Sequence, residues 1–392
     1  MQNDINIDVK NAASGSLDTL AQLRKGQIKQ SLQRLDKKNR RKWFTRSLSA
    51  KLIALNTKNK KYYQSAYYCN DVLIQNDYKL TGKYCNTRIC NVCNSIRTGK
   101  LINGYSAPIK ALSDPYFITL TVPNVPASEL RDTLLNMKST FVQIKDVFRK
   151  RHEQSVDEYM IEFNRSRIEI SYLWASMMVK EIPKYKYERL MKGYTAQEKR
   201  DILDKEGCEY IKPLTGIRKV EITYNTLTKE FHPHFHLIVE GGLERANEII
   251  NMWLQHFPDA NRKAQDARKA DNNSMIELFK YATKLVGKAG QDKKSRRRIE
   301  LYAIDTITTV LYNQRTFQTY GGIRRVSEDI EELQAQEYLH LEAAVTSVVW
   351  LYEPDVHTWV AERSGELMHD FSIPEMLQTL IASTSQRPEF SL

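Results

Sequence analysis

Apolar and polar positions alternate through residues 217–224 and again through 231–239. Successive side chains of an extended chain face opposite ways, so each run predicts a strand with one buried face. Asn225-Thr226-Leu227-Thr228-Lys229-Glu230 between them has turn composition, and the pair reads as a hairpin. A third strand is expected over 116–122, a β-branched and aromatic run that follows the Asp114-Pro115 turn signal and stops before Pro123 and Pro126. Elsewhere the period is helical. Leu130, Leu134, Leu135, Met137, Phe141, Ile144 and Phe148 mark a helix within 127–180. Ile249, Ile250, Trp253 and Leu254 mark another over 243–257, after the break at Gly241-Gly242. Ser274 is placed to cap a further helix through Lys284.

Strands interleaved with helices and paired as hairpins predict an α+β domain on one open antiparallel sheet. The chain then divides into a polar, basic and partly helical leader (1–60), a cysteine- and tyrosine-rich segment (61–112), a central domain (113–290) and a mostly helical C-terminal region (299–392). A helical insertion near 141–215 interrupts the central domain.

With 392 residues, 41% of them hydrophobic and 27% charged, the chain can bury a substantial core. No apolar run approaches membrane-spanning length and the N-terminus lacks a secretory pattern, so a cytoplasmic protein without a membrane partner is expected. The net charge is +12, unevenly spread. Residues 1–60 carry fourteen Lys/Arg against four Asp, peaking at Lys37, Lys38, Arg40, Arg41 and Lys42. Residues 326–370 hold eleven acidic groups and only Arg363. Concentrated positive charge is the footprint of a phosphate-backbone partner, and the basic peak is the candidate DNA-binding patch. A solvated helix face would carry the same charges.

The hairpin carries the chemistry. In Phe231-His232-Pro233-His234-Phe235-His236 three imidazoles share one strand face, with Phe235 and Leu237 on the other. Imidazole is the commonest metal-binding side chain. The six-residue turn implies a register in which Glu221 faces His234, so His234, His236 and Glu221 form a candidate ligand set. Two imidazoles and a carboxylate with open positions suit Mg2+ or Mn2+. A one-residue slip would turn Glu221 into the core, and a simple ion pair with Lys219 is the plainer alternative.

Glu277, Tyr281 and Lys284 fall on one face of the later helix. A phenol needs a nearby cation to act as a nucleophile; Lys284 can supply charge and Glu277 can take a proton from water. Helices rich in Glu, Lys and Tyr are common, so this trio gains weight only from the hairpin before it. Cys69, Cys85, Cys90 and Cys93, with C-x4-C-x2-C spacing, match a closed structural Zn2+ site. Cys208 stands apart.

Taken together these motifs resemble those of rolling-circle plasmid replication initiators, HUH-type endonucleases of the Rep_1 group. Gly216 through Asn225 followed by His-Pro-His-Phe-His-Leu-Ile-Val is similar to their second motif, Phe117 through Val122 to their first, and Glu277 through Lys284 to their third. The cysteine pattern also resembles theirs, and the likeness spans roughly 65–325. The resemblance implies an HUH-like sheet and a metal-dependent nick in one strand of a plasmid origin. Tyr281 would keep the 5′ phosphate as a phosphotyrosine and free a 3′-hydroxyl primer, and Glu277 would direct water in a later hydrolysis. It further implies origin DNA, single-stranded or in a hairpin, host helicase, single-strand-binding protein and DNA polymerase as partners, and it allows a homodimer. His232 departs from the expected pattern. A single-tyrosine transposase or a relaxase would share the core, and a non-catalytic zinc-containing DNA-binding regulator would share only the charge and the cysteines.

Overall fold

In the computed structural model, residues 8–77, 79–178, 196–205, 211–279, 287–288, 297–326, 336–337 and 344–384 are described. The chain opens with a long helix, α1 (Asp8–Ala54), and a short one, α2 (Lys60–Tyr67). The hairpin β1 (Val72–Asp77) and β2 (Lys79–Gly82) follows, then α3 (Asn91–Lys110) and β3 (Tyr116–Thr121). Helices α4 (Leu130–Met178) and α5 (Ala196–Lys205) precede the hairpin β4 (Gly216–Asn225) and β5 (Glu230–Val239). Next come α6 (Gly242–His256), β6 (Asp266–Lys269), α7 (Asn272–Phe279), the two-residue strands β7 (Gly287–Lys288) and β8 (Arg297–Arg298), and α8 (Leu301–Leu311). The chain continues with β9 (Phe317–Tyr320), β10 (Gln336–Glu337), β11 (Ala344–Glu353), β12 (Thr358–Ala361) and α9 (Glu375–Ala382). Among the described residues, no helix is long and apolar enough to cross a membrane.

The central sheet is antiparallel in the order β6-β3-β5-β4-β9. One face packs Ile118, Leu120, Val220, Phe235 and Leu237 under α4 and α6, with Trp253 fully buried and its Nε1 donating to the Thr121 carbonyl at 2.8 Å. Burying an aromatic of this size contributes about 3 kcal/mol. Gly241 and Gly242 take positive φ of 112° and 77° between β5 and α6, a reversal that a Cβ would strain. The other face of the sheet carries the histidines, partly covered by α3 and α7 through Ile109, Phe117, Ile217, Ile238, Leu278 and Phe279.

The expected hairpin, third strand and helical periods are present, and four expectations change. A second antiparallel sheet, β10-β2-β1-β11-β12, joins residues that the sequence separates widely: Trp350 Nε1 donates to Gln75 Oε1 at 3.0 Å across 275 positions. Among the described residues the C-terminal region is therefore not mostly helical. Trp350 and Tyr352 alternate onto a buried face with Trp359, and β9 adds an edge strand to the central sheet. The insertion near 141–215 begins inside the core, because Phe141, Ile144 and Phe148 seat α4 on the sheet. The leader is helical, as expected, but its residues 31–54 also join the core: Leu35 packs with Trp350, Tyr352 and Trp359, and Phe44, Leu48 and Leu52 pack around the cysteines.

Candidate active site

Residue pairing in the hairpin is Glu221 opposite His234 and Lys219 opposite His236, the register inferred from the turn. Asn225 fixes that turn by accepting from the backbone amides of Leu227 and Thr228 through Oδ1, at 2.9 and 3.4 Å. The ligand atoms of Glu221, His234 and His236 all lie within 4.8 Å of one another. Glu221 Oε2 is 3.4 Å from His236 Nε2 and 4.0 Å from His234 Nε2. Bonds of roughly 2.1 Å to one ion place two donors about 3 to 4 Å apart, so the set fits a small divalent cation.

Hydrogen bonds at the far ring nitrogens support this reading. His234 Nδ1 lies 3.1 Å from the His232 carbonyl, which can only accept, so Nδ1 carries the proton and Nε2 offers its lone pair toward Glu221. His236 Nδ1 lies 3.2 Å from Thr119 Oγ1 on β3. Burial, partly opposed by the Glu221 charge, lowers His234 to about 4 and keeps it neutral and able to ligate. The ion pair weighed as the plainer alternative also forms: Lys219 Nζ is 3.4 Å from Glu221 Oε2. The same ammonium lies 3.3 Å from the Glu277 carbonyl, so it joins the ligand strand to α7. His232 shares the face but not the ligand group; among the described residues its buried Nε2 has no hydrogen-bond partner, and burial lowers its pKa.

Tyr281 and Lys284 lie outside the described residues, as does Cys208. Glu277 is on α7, half-exposed, with Oε2 2.8 Å from Arg268 Nη2. The cap of α7 is Asp271 rather than Ser274. Ser274 N donates to Asp271 Oδ1 at 2.7 Å while Ser274 Oγ accepts from Asp271 N at 3.3 Å, a reciprocal pair that starts the helix earlier.

Cys69, Cys85, Cys90 and Cys93 converge with their sulfurs within 4.8 Å of one another. Cys93 Sγ is 3.5 Å from Cys69 Sγ and 3.6 Å from Cys85 Sγ. A tetrahedral ion with sulfur bonds of about 2.3 Å has edges of about 3.8 Å, so the four fit Zn2+. Backbone amides of Cys85, Asn86, Thr87 and Cys93 point at the sulfurs from 3.3 to 3.5 Å, as thiolates require. Hydrogen bonds from Cys69, Cys90 and Cys93 push the Cys85 thiol far below its usual range. Among the described residues all four cysteines are free of disulfides.

The basic peak of α1 divides. Lys37, Arg40 and Arg41 are exposed, Arg40 pairing with Asp36 at 2.8 Å. Lys38 is half-buried, with Nζ 5.6 Å from the centre of the Trp359 ring, and burial lowers it to about 8. Lys42 is fully buried, donating to the carbonyls of Tyr67 and Cys69 and pairing with Asp71, and so does not face a phosphate backbone. Sequence reading missed Thr119, Asp266 and Arg268. Thr119 was legible as the alternate face of a recognised strand; the four-residue β6 gave no signal.

The chain matches no protein-family model, no curated protein and no solved structure.

Proposed function

We propose that this protein cuts one strand of DNA by tyrosine transesterification, as a rolling-circle initiator would. The observation that carries the reading is the convergence of Glu221, His234 and His236 from adjacent strands, with Lys219 joining them to the helix that leads toward Tyr281. A divalent cation on those donors would polarise a phosphate oxygen, and the two imidazoles favour Mn2+ over Mg2+.

The phenolic oxygen of Tyr281 attacks phosphorus and its proton passes to solvent. The bond from phosphorus to the 3′ oxygen breaks, and that oxygen gains a proton to become the primer hydroxyl. Lys284 supplies positive charge to the phenolate or the leaving oxygen. In the later hydrolysis Glu277 accepts a proton from water, the resulting hydroxide adds to phosphorus, and the tyrosyl oxygen leaves. Glu221 and Lys219 hold the imidazole pair and the end of α7 in one frame throughout. The zinc cluster plays no chemical part; it braces α3, whose Thr98 Oγ1 donates to the Phe279 carbonyl at 3.2 Å.

Supercoiled origin DNA with Mn2+ should yield a nicked circle carrying protein on its 5′ end. Tyr281→Phe should abolish the adduct while DNA binding persists; an adduct that survives the change removes Tyr281 from this role. A transposase or relaxase would use the same atoms on a transposon end or transfer origin, and the choice of DNA separates these readings.

A further inference from the structure

We infer that Arg268 is a phosphate-binding residue for the DNA strand, held by Glu277 until DNA displaces it. The inference rests on the nickase reading for its ligand and concerns a residue to which no role has been given. Arg268 pairs with Phe117 across β6 and β3, and therefore stands on the histidine face. Its guanidinium carbon lies 4.4 Å from the centre of the Phe117 ring, and that ring stacks on His236 with centroids 5.3 Å apart and planes at 28°. One aromatic ring thus separates the guanidinium from a metal-ligating imidazole.

Nη1 binds Asp266 Oδ2 and Nη2 binds Glu277 Oε2, each at 2.8 Å. Two carboxylates share one cation, leaving the trio with an excess negative charge. Arg268, Asp266 and Glu277 are exposed by 46%, 48% and 46%. Half-exposed pairs are held weakly and exchange readily. A guanidinium fork matches phosphate geometry as well as it matches a carboxylate. Asp266 lies two residues away on the same strand and keeps the side chain on the ring, whereas Glu277 comes from a different element and can let go. An arriving phosphodiester therefore takes Nη2 from Glu277 by exchanging one ion pair for another. The displaced carboxylate is the group assigned to water activation, and it becomes free only when DNA is in place.

Binding of fluorescein-labelled poly(dT) to the Tyr281→Phe protein, read by anisotropy over a salt series, tests this without cleavage. Arg268→Gln should weaken binding about tenfold and flatten the log–log salt slope by about 0.7; Arg268→Lys should fall between. Glu277→Gln should tighten binding about threefold, through release of the exposed pair. In an Arg268→Gln background Glu277→Gln should change nothing, because no guanidinium remains to be released. Equal tightening in both backgrounds, or an unchanged slope in Arg268→Gln protein of normal melting temperature, overturns the inference. Wild-type protein that nicks DNA while Arg268→Gln is silent overturns this inference alone. Protein that shows the Arg268 effect but forms no adduct overturns the nickase reading instead.

Discussion

Lys42 Nζ donates to the carbonyl oxygen of Cys69 at 2.7 Å, so a residue of the most basic stretch holds the backbone of a cysteine in the four-sulfur cluster. The same ammonium reaches the Tyr67 carbonyl at 3.0 Å and pairs with Asp71, which also takes Arg46 at 3.1 Å. Burial lowers the lysine's pKa, with Asp71 opposing.

Lys42→Met removes the charge but keeps the bulk. It leaves two carbonyls without this donor and Asp71 with Arg46 alone, and should cost about 2 to 4 kcal/mol. Thermal unfolding should show the loss, while Lys37→Met on the exposed side should leave the midpoint within about 1 °C. Equal effects of the two changes would return Lys42 to the solvent-facing patch.

Zinc content gives a second check. Freshly purified protein should contain about one equivalent by elemental analysis, and Cys90→Ser should lose it. The loss should reach beyond the cluster, because Arg88, between Cys85 and Cys90, donates to the Leu311 and Gln314 carbonyls at the end of α8. Hydrogen exchange in α8 should therefore quicken when zinc is chelated; protection that is unchanged there would confine the ion's role to its own loop.

Glu221→Gln keeps the shape of the third ligand and removes its charge. Mn2+ affinity in the Tyr281→Phe protein, measured by calorimetry, should fall by at least about 10- to 100-fold, the loss that even an outer-shell partner of a ligand produces. His232→Gln should leave it unchanged, since His232 lies outside the ligand group.

Lys138 supplies a pH test remote from the Glu221, His234 and His236 group. Burial, with the nearby charges of Arg218 and Arg88, lowers it to about 8, and its Nζ donates to the amide oxygen of Gln314 at 2.7 Å. An unfolded lysine titrates near 10.4. Between those values the unfolded chain holds more protons, so stability rises with pH across that window. The full penalty acts below pH 8, worth about 1 kcal/mol after discount for partial exposure. Lys138→Met should be the more stable protein at neutral pH, and its advantage should vanish by about pH 10.5. A pH-independent difference in melting temperature would contradict the assignment.

The site-bearing hairpin was readable because its signals are local. Alternation set the face, turn length set the register, and Glu221 met His234 as a result. The cysteine cluster was readable from spacing alone. What escaped depends on distance in sequence. The pairing of β1 with β11 has no local sign, and the acidic composition of 326–370 hid the alternation of Trp350 and Tyr352. Lys42 was read with its neighbours because charge runs say nothing about which side of a helix meets a core. Arg268 sits in a strand too short to show a period, and its importance comes only from the rings stacked behind it.

The hydrogen bond from Trp350 to Gln75 has a bearing on how the molecule is made. A ribosome releases Gln75 long before Trp350, so β1 waits for most of the chain to be synthesised before its partner arrives. Closing so large a loop is slow, and long-range pairing of this kind dominates folding times. Throughout that wait the nascent chain exposes β1 beside the four thiols, and early capture of zinc would shield the thiols from oxidation until the last strands close.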